Sequence, residues 1–160
     1  MKCDISNLTI MELDKEKLQE VSELVSKVFL EFEGPNESQE GIKNFKEFVK
    51  EESLKEKYES KIMRFVGCFD KNRLVGLIST RDGNHISLLF VDKEYQKRGI
   101  ANELLKNIIL KCEGEYEYIS VNSSIYAVNI YHKFGFVDKK DKQEEDGIRF
   151  VPMQLQIRSD

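Results

Sequence analysis

The fold of this chain is decided by one stretch, which reads His85-Ile-Ser-Leu-Leu-Phe-Val-Asp-Lys-Glu-Tyr-Gln-Lys-Arg-Gly99-Ile-Ala-Asn-Glu-Leu-Leu105. Its first part is an apolar run typical of a strand, and its last part has apolar positions three and four residues apart, as in a helix. The basic turn between them directs unpaired backbone N–H groups and the positive end of the helix dipole at one spot. The stretch therefore predicts a phosphate-binding site where the helix begins.

The residues of the turn suit an anion. Gly99 lets the backbone approach closely, Ala101 keeps the first helical turn small, and Lys97 and Arg98 add positive charge. The chain has neither a Gly-x-x-x-x-Gly-Lys-Ser/Thr loop nor a Gly-x-Gly-x-x-Gly turn, which excludes two other phosphate sites. From these residues alone, a phosphate site and an ordinary helix start with solvated basic residues both stay open.

Helices are expected on both sides of a group of strands. The predicted helices are Lys15–Phe32, a second one that follows Ser38 and continues through Leu54 and Tyr58, Gly99–Cys112 and Tyr126–Lys133. The predicted strands are Arg64–Phe69, Leu74–Thr80, His85–Val91, Tyr118–Val121, Phe136–Val137 and Phe150–Ile157. The first three strands are joined by short turns and form an antiparallel meander, whereas Tyr118–Val121 follows a helical crossover and lies parallel to His85–Val91. Lys139–Gly147 is predicted to be a loop or a mobile hairpin.

The composition indicates a single compact domain with mixed charge. The chain has 160 residues, of which 40% are hydrophobic and 34% charged, and its formal net charge is -4. Residues 1–160 are therefore expected to form one domain. Because affinity for a phosphate backbone needs Lys and Arg in excess on one face, no nucleic-acid partner is expected.

The cysteines and the N-terminal segment give information about the cellular compartment of the protein. Cys3, Cys68 and Cys112 are irregularly spaced, which fits neither a metal site nor an even disulfide framework. No segment approaches the ~18 apolar residues of a membrane helix, and no basic region precedes an apolar run at the start. We expect a cytoplasmic protein that binds no metal and no membrane.

Two linked motifs resemble those of the GNAT superfamily of acetyltransferases. Gln96-x-x-Gly99-x-Ala101, after a strand ending in Leu-Phe-Val, is similar to the coenzyme A motif Gln/Arg-x-x-Gly-x-Gly/Ala. The segment from Val121 to Phe136 resembles the family's strand and short helix with a terminal Tyr-x-x-x-Gly-Phe. The order of elements from Thr9 to Ile157 also agrees, although the two helices before Met63 match only in type and placement.

The resemblance implies a fold and a cosubstrate. The implied fold is α/β (α+β): a mixed central sheet of six to seven strands, largely antiparallel, with one parallel pair splayed at the acetyl-CoA site, flanked by about four helices. Acetyl-CoA is the implied cosubstrate, and a monomer and a homodimer both fit. The residues that the resemblance assigns to acetyl-CoA are Leu89, Phe90, Val91, Gln96, Lys97, Arg98, Gly99, Ile100, Ala101, Asn102, Ser124 and Asn129.

Acetyl transfer to an amine needs a deprotonated nucleophile, donors for the oxyanion of a tetrahedral intermediate, and a proton for the departing thiolate. By the resemblance, the Leu89 N–H is the oxyanion donor and Tyr131 is the general acid; the alternative for Tyr131 is a core tyrosine packed on its aromatic neighbours. His85 falls where some family members carry a base, and its ordinary pKa suits that work. An exposed turn histidine, with water as the base, is the alternative. His132 is expected on the surface.

The acceptor is an amine of a small molecule or a peptide, and the sequence does not say which. In this fold the acceptor usually enters between the first helices and the loops opposite the coenzyme, where the chain carries Glu31, Phe32, Glu33, Glu37 and Glu40. A non-catalytic module that binds or senses acyl-CoA is the alternative function.

Overall fold

The computed structural model describes residues 7–158, so that Cys3 lies outside the described residues. The strands are β1 (Leu8–Glu12), β2 (Met63–Asp70), β3 (Arg73–Arg81), β4 (His85–Val91), β5 (Tyr118–Ser124), β6 (Val137–Asp138), β7 (Gln143–Glu145) and β8 (Ile148–Gln156). The α-helices are α1 (Leu18–Phe32), α2 (Gln39–Val49), α3 (Glu51–Glu59), α4 (Ile100–Cys112) and α5 (Val128–Phe134).

The strands form one mixed sheet. Seven of them lie in the order β1-β2-β3-β4-β5-β8-β6, and β7 pairs with β8 beside this path. β2, β3 and β4 are the antiparallel meander that the short turns predict, and β4 with β5 is the parallel pair. The mixed, largely antiparallel fold expected from the sequence is therefore confirmed.

Each face of the sheet carries its own core because side chains alternate between the faces of a strand. Phe65 and Leu77 pack with α1, α2 and α3 on one face, while Val66 and Ile78 pack with α4 and α5 on the other. The spacing of three and four in α1 buries its apolar side, including Val21, Val25 and Phe29. The sheet is therefore the middle of three layers, with helices packed on both of its faces.

Two elements differ from the sequence expectations. The helix predicted to continue from Ser38 through Tyr58 is two helices, because Lys50 is extended (φ -66°, ψ 154°) and starts α3. Of the two alternatives for Lys139–Gly147 the structure forms the hairpin, and its strand β7 together with β1 gives the sheet of the described residues eight strands instead of six to seven. The break at Lys50 gives these residues five α-helices instead of about four.

The parallel pair separates along its length. β4 and β5 are paired only at His85 with Ser120 and at Ile86 with Val121. Beyond these two positions β4 continues beside β3 alone, up to Val91 opposite Gly76. The opening between the carboxyl ends of β4 and β5 is where the candidate site lies.

Candidate active site

The helix start after β4 has the geometry of an anion site. α4 begins at Ile100, and its N-cap Gly99 is left-handed, with φ 89°. A Cβ added at Gly99 would have no atom within 4 Å, so the space above the first turn is open to a ligand. Because the first N–H groups of a helix lack partners within the helix and carry the positive end of its dipole, a pyrophosphate fits here.

Polar contacts below the turn hold its shape. The buried Asp92 carboxylate accepts from Lys27 Nζ at 3.3 Å, from Arg73 Nη2 at 3.1 Å and from the Glu94 N–H at 3.0 Å. Burial alone would raise the pKa of Asp92, but the hydrogen bonds and the nearby cations lower it below its ordinary value. Sequence reasoning missed this carboxylate, although an acidic residue at a strand end followed by a short turn is a usual cap.

Arg98 lies away from the cavity. Its guanidinium carbon is 4.7 Å from the centroid of the Tyr95 ring, and Arg73 lies 5.6 Å from the same ring. The Tyr95 hydroxyl donates to Asp70 Oδ2 at 2.5 Å. Arg98 therefore braces the turn by packing on Tyr95, whereas Lys97, also in a left-handed conformation (φ 65°), lines the cavity.

The end of β4 directs backbone groups into the splayed opening. The Asp92 N–H donates to the Val75 carbonyl of β3 at 2.8 Å. Because hydrogen-bonded positions alternate along an antiparallel pair, Leu89 and Val91 point their N–H and C=O groups away from β3. The side chain of Gln96 donates to the Val91 carbonyl at 3.0 Å from that side. A row of backbone donors and acceptors thus faces the space that β5 leaves.

A cavity of about 420 Å³, hereafter the coenzyme cavity, joins this backbone to the helix start. Its volume lies within the range of about 300–1,000 Å³ typical of small-molecule sites. The predicted residues that line it are Leu89, Phe90, Val91, Gln96, Lys97, Gly99, Ile100, Ala101, Asn102 and Tyr131. At its rim, the rings of Phe32 and Tyr126 lie 5.7 Å apart between centroids, so that α1 and the turn before α5 meet across the opening.

A second cavity of about 210 Å³, hereafter the side cavity, adjoins the first. Both cavities are lined by Glu33, Leu89, Phe90, Ala127 and Tyr131. Ser124 lines the side cavity but not the coenzyme cavity. The two spaces therefore meet where an oxyanion donor, a phenol and a carboxyl group come together.

Tyr131 is buried at this junction. It is 4% exposed, and its ring packs edge-on against Phe136 and Phe134, with centroids 5.1 and 6.2 Å away. Burial raises the pKa of its phenol, and the charge of Glu33 raises the pKa further. The side chain therefore stays protonated near neutral pH and is able to donate a proton. Tyr131 therefore both packs in the core and lines the two cavities.

Glu33 ends α1 at the same junction, where its N–H donates to the Phe29 carbonyl at 2.8 Å. Burial raises the pKa of its carboxyl group to about 7, and the charge of Glu37 adds to the rise, while a hydrogen bond with Ser124 opposes it. The sequence places Glu33 among several acidic residues near the acceptor entrance. Nothing in the sequence distinguishes it from the exposed Glu31, because only the packing of the helix end shows which side chain turns inward.

His85 and Asn129 line neither cavity. Nδ1 of His85 lies 2.8 Å from Ser120 Oγ, between the paired ends of β4 and β5. Burial, and to a smaller extent the charge of Arg81, lower the pKa of His85 to about 4. Asn129 is exposed on α5, and His132 is exposed as expected, with Nε2 2.6 Å from Asp138 Oδ1.

Two structural absences complete the description of residues 7–158. None of their helices combines the length and the apolar character that crossing a membrane requires. In the same range, no group of three or more His, Cys, Asp and Glu side chains is arranged to hold a metal ion.

The splayed parallel pair and the glycine-capped helix place the chain among mixed α/β proteins whose sheet opens beside the start of a helix. The family model described as the acetyltransferase (GNAT) domain matches residues 33–157. The chain therefore belongs to the GNAT acetyltransferase family.

Relatives agree with this assignment. The chain is 42% identical over 71 residues to the uncharacterized N-acetyltransferase YafP of Escherichia coli (strain K12), and the match covers 44% of each protein. The chain thus aligns with less than half the length of that relative. A GCN5-related N-acetyltransferase from Rhodopseudomonas palustris has the same fold, with a TM-score of 0.80, 15% identity and coverage of 98% of this chain and 99% of that one. The PaiA N-acetyltransferase of Thermoplasma acidophilum, solved with coenzyme A, gives a TM-score of 0.74 at 20% identity, covering 93% and 98% of the two chains.

Proposed function

We propose that the chain transfers the acetyl group of acetyl-CoA to a primary amine. The observation that carries the proposal is the junction of the two cavities, because Tyr131 and Leu89 line both. A coenzyme held at the start of α4 and along β4 would bring its thioester to the place where a second substrate enters from the side cavity. The family assignment and the coenzyme A complex of PaiA support the choice of cosubstrate.

The residues present fit the coenzyme in three places. The open first turn of α4, with Gly99 and the side chain of Lys97, would bind the pyrophosphate. The backbone of Leu89 and Val91 would bind the pantetheine arm in place of the missing strand partner, and the Leu89 N–H would stabilise the oxyanion of the tetrahedral intermediate. When bound, acetyl-CoA supplies the activated acyl group.

Proton transfer is assigned to two groups. Tyr131 donates its proton to the departing thiolate, for which its raised pKa is suitable because the phenol stays protonated until the thiolate forms. The sequence proposes His85 or water as the base that takes the proton of the amine. His85 lies at the paired end of β4, so that its part in the reaction would require a water chain to the junction.

The cytoplasm is the proposed compartment. Cys68 and Cys112 are both buried and free, which agrees with a reducing environment.

The test compares the wild-type chain with Tyr131→Phe. Release of free thiol is measured with acetyl-CoA and a panel of amines, and the dissociation constant of acetyl-CoA is measured by calorimetry. We expect Tyr131→Phe to lower kcat by about 100-fold or more, the usual contribution of a positioned acid, with the coenzyme affinity unchanged. Tyr118→Phe is the matched control, since Tyr118 is exposed on β5 and lines neither cavity.

Two results would contradict the proposal. Coenzyme binding without thiol release on any amine would identify a binding or sensing module. Thiol release that is equal in the wild-type chain and in Tyr131→Phe would remove Tyr131 from the reaction.

A further inference from the structure

The side cavity is walled mainly by apolar rings. The wall includes Phe29, Phe45, Phe48, Phe90, Ile148 and Phe150. Phe29 of α1 and Phe45 of α2 stack with their centroids 3.9 Å apart, and the ring of Phe90 lies 6.0 Å from that of Phe45. Since these rings come from separate elements and pack on each other, the apolar wall is formed before any ligand binds.

Uncharged polar residues also line the cavity, namely Ser87, Asn122, Ser123, Ser124 and Tyr131, but it holds a single carboxyl group. Glu33 is the one Asp, Glu, Lys, Arg or His among the residues that line the side cavity. An ammonium or a carboxylate placed there without a partner would lose its hydration and gain nothing in return. A polyamine would bury more cations than the one carboxylate can pair, and an amino acid would find no cation for its carboxylate.

Glu33 lies where the apolar wall ends and the coenzyme cavity begins. The groups that face it are the hydroxyl of Ser124, which hydrogen-bonds it, the phenol of Tyr131 and the carboxylate of Glu37. Lys97 and Lys133 are the cations that line the coenzyme cavity, and neither of them lines the side cavity. Because burial raises the pKa of Glu33 to about 7, the group is able both to accept and to release a proton near neutral pH.

We propose that the side cavity binds a primary amine with one nitrogen and a compact apolar body, such as a phenylalkylamine, and that Glu33 accepts the proton of that nitrogen. This inference rests on the proposed acetyl transfer and specifies its acceptor and its base. The apolar body lies among the rings of the wall, and the nitrogen points to Glu33 at the junction.

The volume of the side cavity agrees with this class. An apolar cavity of about 150 Å³ in another protein is known to hold one benzene molecule. The side cavity has a volume of about 210 Å³ and therefore accommodates one ring and a short chain that ends at the junction.

During the acetyl transfer itself, the protons move only to and from Glu33 and Tyr131, which line both cavities. The ammonium form of the amine first loses one proton to solvent, and the neutral nitrogen then forms a bond to the acetyl carbon while the bond from that carbon to sulfur breaks. Glu33 takes the proton that the nitrogen loses, and Tyr131 gives its proton to the thiolate. Transfer of the proton from Glu33 to the phenolate restores both groups, so that the products are the amide and free coenzyme A.

The acceptor class is tested with the wild-type chain and acetyl-CoA on four amines: phenethylamine, spermidine, glucosamine and a lysine-containing peptide. We expect kcat/KM for phenethylamine to exceed that of the others by about tenfold or more, the effect of one unpaired buried polar group. Phe45→Leu should raise the KM of phenethylamine and leave the dissociation constant of acetyl-CoA unchanged, because Phe45 lines the side cavity only.

A higher kcat/KM on spermidine, glucosamine or the peptide would overturn the acceptor class and leave acetyl transfer standing. Failure of every amine to release thiol, with coenzyme A still bound, would overturn acetyl transfer as well.

Glu33 is tested by its pH profile. Glu33→Gln keeps the shape and the hydrogen-bonding capacity of the side chain but cannot accept the proton. We expect kcat/KM of the wild-type chain to rise with pH through about 7, and this acid limb to be absent in Glu33→Gln, with activity at pH 7.5 about 100-fold lower. Glu31→Gln, an exposed carboxyl on the same helix end, is the control with an unchanged profile. An acid limb that persists in Glu33→Gln and disappears in His85→Ala would give the role of base to His85.

Discussion

Two partly buried side chains have pKa values shifted in opposite directions. Glu33 has its pKa raised to about 7, and His85 has its pKa lowered to about 4, in both cases mainly by burial. Folding therefore favours the protonated carboxyl group and the neutral imidazole. The stability that Glu33 contributes is complete below about pH 4.5 and is lost as the pH rises through 7. The stability that His85 contributes is complete above about pH 6.5 and is lost as the pH falls toward 4.

We predict that His85→Asn will change the slope of stability with pH. Each shift corresponds to at most about 3 kcal/mol, and between pH 4.5 and 6.5 the two slopes oppose each other. Asn keeps a nitrogen near the position of Nδ1, within reach of Ser120, but does not titrate. Urea unfolding at several pH values should show stability falling more steeply with pH in this variant than in the wild-type chain. Parallel curves for the two proteins would contradict the lowered pKa.

At the residue scale, the sequence indicates motif positions better than it indicates burial. Tyr131 could be predicted because it stands four residues before Gly135, and a short helix with a left-handed stop carries it to the junction. Glu33 could not be distinguished from its acidic neighbours, since its inward direction depends on the end of α1 and on contact with Ser124 of β5. The spacing of residues in the sequence indicates local geometry, whereas the inward direction of Glu33 depends on a contact between distant parts of the chain.

The start of α4 is the element that we expect to control coenzyme affinity. In Gly99→Glu, a carboxylate would extend into the open space above the first turn and repel the phosphates, so that acetyl-CoA binding should be lost. Gly99→Ala adds no clash there, although the left-handed φ of 89° costs an L-residue about 1–2 kcal/mol. Calorimetric titration of both variants separates the charge effect from strain. Equal affinity of Gly99→Glu and the wild-type chain would refute the site.

The hairpin of β7 and β8 is fastened to the start of α2. Ser38 caps α2 by accepting from the Gly41 N–H at 3.0 Å and donates to the Gly147 carbonyl at 3.1 Å. The side chain of Asn44 donates to the Asp146 carbonyl at 2.9 Å. Since α2 contributes Phe45 and Phe48 to the side cavity and β8 contributes Ile148 and Phe150, this contact joins two elements that line that cavity.

We predict that Gly41→Val will loosen the side cavity without changing the coenzyme site. A Cβ at Gly41 would come within 2.3 Å of the Gly147 carbonyl oxygen, so that backbone has to move. The expected cost is about 1–3 kcal/mol of stability, together with a higher KM for the amine and an unchanged dissociation constant for acetyl-CoA. Lys43→Val, at an exposed position of α2, is the control for the new side chain. Loss of coenzyme affinity in Gly41→Val would show that the two cavities are not independent.

At the scale of elements, the sequence predicts those whose pattern is apolar. The strands of the meander and the helix α4 agree with their predicted ranges to within one or two residues. The break at Lys50 was missed because one extended residue does not disturb the apolar spacing on either side of it. The sequence left Lys139–Gly147 open between a loop and a hairpin because Gln143–Glu145 has no apolar residue; the structure forms the hairpin, and its Gly147 contacts α2.

On the scale of the whole molecule, the candidate site belongs to both cores. Phe90 is buried in the core that contains α1, whereas Leu89 and Val91 pack against the core that contains α4. The splayed end of β4 is thus held from both faces of the sheet, although β5 does not pair with it there. A coenzyme bound in the opening would replace the missing strand contacts and join β4 to α4 and α5.

We therefore predict that acetyl-CoA stabilises the entire fold against heat. A ligand that binds only the folded state at about 100 times its dissociation constant adds about 2.7 kcal/mol, and for a chain of this size that raises the Tm by about 5–10 °C. Scanning calorimetry of the wild-type chain with and without acetyl-CoA measures this shift. Gly99→Glu, compared with its own ligand-free Tm, should show none, because the repelling carboxylate lies at the phosphate site. A rise of the same size in both proteins would mean that acetyl-CoA binds somewhere other than the start of α4.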